Sequence, residues 1–266
     1  MHTWYWRTWE GMSYLTCSLL ETWPHGFFTH KFWPRSPEEL TVVLHPDALG
    51  YRLKQVHGNT VLTPSEICSQ LSSGNEEEDN SALAPADGLM SEEPLQAVWV
   101  ASADCTPVLI ADEKTGQVAA VHAGWRGTAA KIVPQAIARL QAQGSKIPDL
   151  RIAMGPAIAG EVYQVSTQVA AQIGASIISH EDETAIIEAL QKLPKSPLLP
   201  DPDPTKVRVD VRQVNCLQLE SLGISLEQIA IAPYCTYQAP EHFFSYRRDN
   251  LKKVQWSGIV SVTPNS

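Results

Sequence analysis

Three short apolar runs near the middle of the chain narrow most strongly what this sequence can fold into. They cover residues 97–102, 108–111 and 117–122, and each is too short for a helix and long enough for a buried strand. The polar turn DEKTG at 112–116 joins the second run to the third and predicts an antiparallel hairpin. The centre of the fold is therefore expected to be a sheet with buried strands.

Two residues with useful chemistry fall at one end of this hairpin. Cys105 comes just before one strand and His122 ends the other, so antiparallel pairing brings the thiol and the imidazole together at one rim of the sheet. A buried cysteine is usually a small hydrophobic core residue, and a single histidine is usually hydrogen-bonded within the core. Spacing alone therefore leaves a functional pair and a core pair both open.

The residues after His122 predict a helix and, with it, an anion site. Residues 128–143 are expected to be helical, with Pro134 either kinking the helix or marking a displaced start. If the helix begins near Gly127, its N-terminal N–H groups face the rim and favour an anion, and Arg126 stands at the entrance. Otherwise Arg126 is expected to be an exposed ion-pair partner.

A second histidine comes from the segment before the hairpin. Residues 51–57 alternate apolar and polar side chains and predict a half-buried strand that ends at His57, and residues 60–63 are expected to return as its hairpin partner. His57 is then a turn residue held by a sheet, a position at which functional and ordinary residues are both common. Asp87, in a later turn, either caps that turn or points into the site.

The rest of the chain mixes short strands and helices. Strands are predicted at 12–20, 26–29, 150–154, 207–209, 228–232 and 254–262, and helices at 36–40, 166–176, 181–193 and 211–222. The acidic stretch 72–81 predicts an exposed loop. The Pro-rich stretch 194–204 does not divide the chain, because strands resume on both sides of it, so a single domain over residues 1–266 is expected.

Composition argues against several classes of protein. With 44% hydrophobic and 18% charged residues, the chain has the composition of an ordinary globular protein. Its net charge of −9 argues against a nucleic-acid or anionic-membrane surface. Five scattered cysteines without a CxxC pair indicate a reducing compartment, and no apolar run approaches the roughly 18 residues that span a bilayer. The expected location is the cytoplasm.

Six motifs, taken together, resemble one known family. They are QVHGNTV (55–61), ADGLMS (86–91), SADCTPVLIAD (102–112), AAVHAGWRGT (119–128), MGPAI (154–158) and FFSYRRD (243–249). In this order they resemble the YfiH-like proteins, also called the laccase-domain, polyphenol oxidase or peptidoglycan-editing-factor family, over most of the chain. The sequence departs from that family in HGFFTHKFWPRSPEEL, where many members carry an SLNLG-type stretch, and in GPAIAG, where many read GPCIG.

The resemblance implies a fold and a metal site. The fold is α+β, with mixed β-sheets packed as a sandwich and flanking helices, in α/β/β/α layers. A metal ion, usually zinc and with copper as the alternative, would be held by three catalytic ligands, His57, Cys105 and His122. A thiolate and two imidazoles suit zinc with one open coordination position.

The resemblance also implies substrates and the residues that bind them. The family phosphorolyses adenosine, inosine and S-methyl-5'-thioadenosine and deaminates adenosine, so the expected partners are a purine nucleoside and phosphate. It places Asp104 and Arg126 beside the metal ligands. Arg247 lies in the aromatic and arginine-rich segment 234–249, whose composition suits a planar or anionic ligand and equally a packed loop.

Three alternative functions are open, two of which would use the same residues differently. A copper polyphenol oxidase (laccase) is weaker on physical grounds, because multicopper oxidation needs several clustered copper sites and most of the eight histidines are isolated. A metal-free cysteine hydrolase or deamidase would use Cys105 as nucleophile and His122 as base. A partner-binding role in peptidoglycan editing would need neither the metal nor the thiol.

Overall fold

The computed structural model describes residues 2–72 and 83–263. These residues form two six-stranded sheets, one three-stranded sheet and flanking helices. Apart from Ser72, the stretch predicted to be an acidic loop lies outside the described residues. Among the helices that the structure describes, none combines the length and the apolar character needed to cross a membrane.

The strands are short and follow one another closely along the chain. They are β1 (Trp4–Trp9), β2 (Met12–Cys17), β3 (His25–Phe28), β4 (Leu49–Tyr51), β5 (Val61–Leu62), β6 (Gly88–Met90), β7 (Gln96–Ser102), β8 (Thr106–Asp112), β9 (Val118–Ala123), β10 (Leu150–Met154), β11 (Gln164–Ser166), β12 (Leu198–Leu199), β13 (Lys206–Val209), β14 (Ile229–Ile231) and β15 (Gln255–Val260).

The α-helices lie between these strands. They are α1 (Pro37–Leu44), α2 (Pro64–Ser72), α3 (Trp125–Ala129), α4 (Ile132–Ala142), α5 (Thr167–Gly174), α6 (Glu183–Gln191), α7 (Val211–Ser221) and α8 (Tyr246–Asp249).

The two large sheets face each other across one hydrophobic core. The first sheet has the strand order β1-β2-β3-β15-β7-β4 and the second has the order β14-β10-β8-β9-β6-β5. Buried side chains of both sheets, such as Phe27 and Val98 of the first and Leu109 and Ala120 of the second, belong to the same cluster. The sheets are therefore packed as a sandwich.

Helices cover the outer faces of this sandwich. Leu40 of α1 packs with Trp99 on the outer side of the first sheet. Ile137 of α4 and Leu219 of α7 pack with Val121 on the outer side of the second sheet. The predicted α+β fold with α/β/β/α layers is confirmed.

The central hairpin is also confirmed. Strands β8 and β9 pair in antiparallel fashion, with Thr106 opposite Ala123 and Pro107 opposite His122. All residues of β8 and β9 are buried, because one face of the sheet packs on the other sheet and the opposite face packs on helices. The end of the hairpin that carries His122 is therefore the end at which Cys105 enters β8.

The predicted hairpin of residues 51–57 and 60–63 is wrong. Strand β4 pairs in parallel with β7 in the first sheet, whereas β5 pairs in parallel with β6 in the second. The chain between β4 and β5 thus crosses from one sheet to the other. The backbone N–H groups of residues 56–58 bond to the carboxylate of Asp87 instead of to a neighbouring strand.

The predicted helix at 128–143 is two helices, α3 and α4. The break is at Lys131, which has a left-handed backbone conformation with φ of 59°. Pro134 lies in the first turn of α4, where its ring fits without loss of a hydrogen bond. Of the two readings of Pro134, the displaced helix start is the correct one.

A third sheet forms a smaller cluster that the sequence indicates only in part. It has the strand order β11-β13-β12, and its core includes Ile173 of α5, Leu190 of α6 and Val209 of β13. The residues of β13, α5 and α6 were predicted from the sequence, but β11 and β12 were not. The residues that precede β11 line the candidate site.

Candidate metal site and active-site pocket

His57, Cys105 and His122 come together at one rim of the second sheet. One ligand atom from each, the two imidazole nitrogens and the sulfur, lies within 4.8 Å of the other two. The two imidazole rings are 4.8 Å apart between centroids and nearly perpendicular. Within residues 2–72 and 83–263, no other group of three histidine, cysteine or acidic side chains is arranged in this way.

Different elements supply the three side chains. Cys105 lies in the turn between β7 and β8, and His122 is the last residue but one of β9. His57 comes from the segment that crosses between the sheets. Gln55 holds that segment against β7, because its side-chain amide both donates to Ala101 O (2.8 Å) and accepts from Ala101 N (2.7 Å).

Asp87 lies directly behind the two histidines. Its carboxylate accepts a hydrogen bond from His122 Nδ1 at 2.9 Å and further hydrogen bonds from the backbone of the His57 turn. The sequence left open whether Asp87 caps a turn or points into the site, and the structure shows that it does both. Its side chain is fully buried.

The electrostatics of the site favour a charged sulfur. Burial alone raises the pKa of the Cys105 thiol, but hydrogen bonds with His122 and His57 outweigh it and lower the pKa to about 6. Burial alone lowers the pKa of His122, but its hydrogen bonds with Asp87 and Cys105 raise it to about 9. At neutral pH the metal-free site therefore holds a thiolate beside an imidazolium, and the thiolate is the form that binds metals.

The residues fit a metal ion of the zinc type. One sulfur and two imidazole nitrogens are ligands that zinc prefers, and three protein ligands leave a fourth position open. The backbone also leaves room, because a Cβ added at Gly124 would lie 2.9 Å from Cys105 Sγ and 3.4 Å from His57 Cδ2. Copper(I) also takes sulfur and imidazole ligands, so the donor set alone does not separate the two metals.

A small pocket opens beside Cys105. Its walls are formed by the Cys105 turn, the end of β9, the start of α3, the segment before β11 and the start of α7: Asp104, Cys105, Thr106, Ala123, Gly124, Trp125, Ile158, Tyr163 and Val211. Burial and the negative charge of Cys105 raise the pKa of Tyr163 to about 12, so its hydroxyl stays neutral. Tyr163 could not be found from the sequence, because it lies beyond the motif MGPAI and no motif contains it.

Two arginines flank this pocket, each stacked on an aromatic ring that lines it. The Arg126 guanidinium lies 4.3 Å from the centroid of the Trp125 ring, and the Arg247 guanidinium lies 4.9 Å from that of Tyr163. Both arginines are exposed. Among the ion pairs between described residues, neither arginine has a carboxylate partner, so both positive charges are available to an anion.

Asp104 anchors the loop that carries Arg247. Its carboxylate accepts from Thr236 Oγ1 and from the backbone N–H of Arg247, both at 2.7 Å. The backbone of Asp104 has φ of 102°, a conformation that is rare outside glycine. Asp104 was expected among the residues that bind substrate or phosphate, and each of its carboxylate oxygens accepts a hydrogen bond from within the protein.

The anion site predicted at a helix N-terminus near Gly127 is not supported. Helix α3 begins at Trp125, two residues earlier, and has only five residues. So short a helix sums few peptide dipoles, and its terminus carries little of the charge that a longer helix offers. The positive charge at the pocket comes from Arg126 and Arg247 instead.

Comparison with known proteins gives relatives over nearly the whole chain. A purine nucleoside phosphorylase of Synechocystis is 51% identical over 261 residues, which are 97% of each chain. A purine nucleoside phosphorylase of Bacteroides thetaiotaomicron is 30% identical over 84% of this chain and 74% of that one. A protein named adenosine deaminase RL5, from an unknown prokaryotic organism, is 28% identical over 65% of this chain and 60% of its own.

Solved structures share the fold. YlmD from Geobacillus stearothermophilus superposes with a TM-score of 0.75 at 22% identity, covering 97% of this chain and 98% of that one. YfiH from Bacillus licheniformis gives a TM-score of 0.72 at 21% identity, covering 97% and 99%. The family model described as multi-copper polyphenol oxidoreductase laccase matches residues 39–260. The chain therefore belongs to that laccase-domain family, the one that contains the YlmD- and YfiH-type proteins.

Proposed function

We propose that the chain is a zinc-dependent purine nucleoside phosphorylase that cleaves adenosine, inosine and S-methyl-5'-thioadenosine and also deaminates adenosine. The observation that carries this proposal is the group of His57, Cys105 and His122 placed beside two guanidinium groups that have no ion-pair partner among the described residues. The name of the Synechocystis relative, 51% identical over 97% of both chains, supports the same class of reaction.

Phosphorolysis needs a bound phosphate close to a bound nucleoside. A phosphate oxygen forms a bond to C1′ of the ribose while the bond from C1′ to the purine nitrogen breaks, and the base leaves with that electron pair and gains a proton. Arg126 and Arg247 are suited to hold the phosphate, because guanidinium groups bind phosphate oxygens through two parallel hydrogen bonds. The phosphate charge would be neutralised where no carboxylate competes for either arginine.

The aromatic walls suit the nucleoside. Trp125 and Tyr163 both line the pocket and offer flat faces to a purine or to a ribose. The neutral hydroxyl of Tyr163 can donate a hydrogen bond to the substrate. Ile158 and Val211 add apolar surface that keeps water from the reacting carbon.

The three ligands hold the ion next to these groups. A zinc ion bound by His57, Cys105 and His122 would supply a Lewis acid at the floor of the pocket. Asp87 keeps a proton on Nδ1 of His122, and the lowered pKa of Cys105 keeps the sulfur as thiolate at neutral pH. Metal binding at neutral pH would therefore release a proton from His122 but none from Cys105.

Deamination of adenosine is the second activity that we propose for this site. It is favoured by the relative named adenosine deaminase RL5, which is 28% identical over 172 residues. In this reaction water adds at C6 of the purine and ammonia leaves, so neither phosphate nor the two arginines are required.

Two other readings of the same residues have less support. A multicopper oxidase needs several copper sites, and the described residues contain one group of three suitable ligands. A metal-free cysteine hydrolase would use the Cys105 thiolate and the His122 imidazolium directly. The hydrolase reading requires activity without metal, whereas our proposal requires activity to be lost with the metal.

A peptidoglycan-editing role based on partner binding is a third alternative, and it would survive the substitution Cys105→Ala.

A substrate panel tests the proposed reaction. Purified protein is incubated with adenosine, inosine or S-methyl-5'-thioadenosine, with and without phosphate, and the products are separated by chromatography. We expect free base only when phosphate is present, in amounts equal to the sugar phosphate formed, and inosine from adenosine in both conditions. Base release that is independent of phosphate, or no base from any of the three nucleosides, would contradict the phosphorylase assignment.

A further inference from the structure

We propose that Asp87 is a positioning residue that sets both histidines of the metal site at once, one through its backbone and the other through its imidazole. The inference rests on the proposed function only in that His57, Cys105 and His122 bind a metal ion. It concerns how this chain holds its ligands, and it can be tested with the metal alone.

Asp87 fixes the backbone of the turn that carries His57. Its Oδ2 accepts from Gly58 N at 2.7 Å and from Val56 N at 3.1 Å, and its Oδ1 accepts from His57 N at 2.9 Å. Three successive N–H groups thus point at one carboxylate. No strand supplies these bonds, because the segment is crossing between the two sheets.

This turn would not hold its shape without such a partner. His57 has φ of 60°, in the left-handed region that residues other than glycine seldom adopt. A conformation of this kind persists when surrounding contacts enforce it. The carboxylate of Asp87 is the group that bonds the N–H of His57 and of both its neighbours, so the direction in which the His57 side chain leaves the backbone depends on Asp87.

Asp87 also forms two hydrogen bonds with His122. Its Oδ1 accepts from Nδ1 of the imidazole at 2.9 Å, and its backbone carbonyl accepts from His122 N at 2.7 Å. Because Asp87 holds the proton on Nδ1, the proton that His122 loses when a metal binds is the one on Nε2, and Nε2 is then the nitrogen that faces the metal position. The carboxylate therefore selects both the orientation and the tautomer of this ligand.

The four hydrogen bonds that the Asp87 carboxylate accepts show which substitution would disturb both histidines. All four partners of the Asp87 carboxylate are N–H donors, and the carboxylate offers only acceptors. In Asp87→Asn one oxygen is replaced by an NH₂ group of nearly the same size. That group would face N–H donors, so at least one histidine must lose its fixed position.

The chain offers a matched control at the opposite end of the same hairpin. Asp112 is also fully buried, and its Oδ1 accepts from Lys114 N at 2.7 Å and Thr115 N at 2.9 Å in the turn between β8 and β9. Asp112→Asn thus makes the same substitution at another buried carboxylate that caps a turn, and neither of its two donors is a histidine.

Zinc affinity and a cobalt spectrum test the inference without any nucleoside. The parent protein, Asp87→Asn and Asp112→Asn are stripped of metal, their melting temperatures are recorded, and each is titrated with zinc against a competing chelator and with cobalt(II). We expect Asp87→Asn to bind zinc about 10- to 100-fold more weakly than the parent and to change the cobalt absorption bands. We expect Asp112→Asn to keep the zinc affinity and the cobalt bands of the parent, because its remaining oxygen can accept both hydrogen bonds of the turn.

Different outcomes separate the inference from the proposed function. Asp87→Asn with the zinc affinity and cobalt bands of the parent would overturn the positioning role while leaving the metal site intact. A parent that binds no zinc would overturn the metal site and the inference with it.

A measurement on the parent covers the case in which Asp87→Asn does not fold. Long-range ¹H–¹⁵N correlation spectra of the zinc-loaded parent are expected to show His122 protonated at Nδ1 and metal-bound through Nε2. Metal binding through Nδ1 of His122 would overturn the proposal.

Discussion

Cys105 shows at the scale of one residue how the fold changes the chemistry of a side chain. A half-buried thiol surrounded by apolar groups would have a raised pKa, yet here two imidazoles lower it to about 6. The hairpin could be predicted from the sequence, and with it the meeting of Cys105 and His122. His57 was expected only because QVHG resembles a family motif, since its own segment was assigned to a hairpin that does not exist.

The pKa of Cys105 gives a prediction for the metal-free protein. Only the thiolate reacts with iodoacetamide, so the rate of alkylation at Cys105 should fall as the pH is lowered through about 6, whereas an ordinary thiol with its pKa of 9.0 would lose reactivity through that higher value. The rate is measured by mass spectrometry of the Cys105 peptide over a series of buffers whose pH values extend below the first pKa and above the second.

Zinc serves as the control for this measurement, because a metal-bound sulfur is protected from alkylation. A short synthetic peptide with a single cysteine, added to the same samples, provides the comparison. A rate at Cys105 that falls through the same pH range as the rate at the peptide thiol would contradict the ionised pair of Cys105 and His122.

Arg126 is predicted to act on phosphate rather than on the nucleoside. Arg126→Ala removes a charged hydrogen-bond donor worth about 1.5–3 kcal/mol, so the KM for phosphate should rise roughly tenfold or more while the KM for adenosine changes little. Steady-state kinetics with each substrate varied in turn measure the two constants. Arg52→Ala, which removes a surface ion pair with Glu38, should leave both unchanged. An unchanged phosphate KM in Arg126→Ala would remove Arg126 from this role.

At the scale of elements, the hairpin of two strands joined by a short turn could be predicted from the sequence. The pairing of strands that are separated by long segments of chain could not. The β8–β9 hairpin follows from apolar runs and a polar turn. By contrast, β4 and β5 pair in parallel with β7 and β6, strands that lie far along the chain. The alternation of residues 51–57 reflects burial on one side of a crossing segment, and local sequence does not distinguish this from a strand.

Lys131 gives an element-scale prediction, because it separates α3 from α4 in a left-handed conformation with φ of 59°. Glycine adopts this conformation without the steric cost that other residues pay, so Lys131→Gly should raise the free energy of unfolding by up to about 1 kcal/mol. Urea denaturation measures the change. Lys146→Gly is the control, since Lys146 has an extended backbone with φ of −120° and glycine there should lower stability. A loss of stability in Lys131→Gly would contradict the backbone argument.

At the scale of the whole molecule, the layers explain why the site lies where it does. The two sheets share one core, helices cover both outer faces, and the end of β7, the start of β8 and the end of β9 lie at the same rim of the sandwich. The third sheet and the loop after β14 close over this rim and bring Tyr163 and Arg247 to it. The layered fold was expected from the resemblance to the family, and Arg247 was a candidate within the motif FFSYRRD, but Tyr163 and strands β11 and β12 were not expected, because no motif contains them.

The net charge of the whole molecule is opposite in sign to the charge of the two arginines at the pocket. The net charge of −9 argues against nucleic acid or an anionic membrane as partner. It does not prevent phosphate binding, because Arg126 and Arg247 stand at the pocket without an ion-pair partner among the described residues.

Metal content and phosphorolysis, measured on the same preparations, test the central claim most directly. The parent and the variants Cys105→Ala, His57→Ala and His122→Ala are analysed for zinc by mass spectrometry and for phosphate-dependent release of adenine from adenosine. We predict one zinc ion per chain and base release in the parent, and loss of both in every variant, with circular dichroism spectra unchanged. A variant that lacks zinc but still releases adenine at the parental rate would contradict the account.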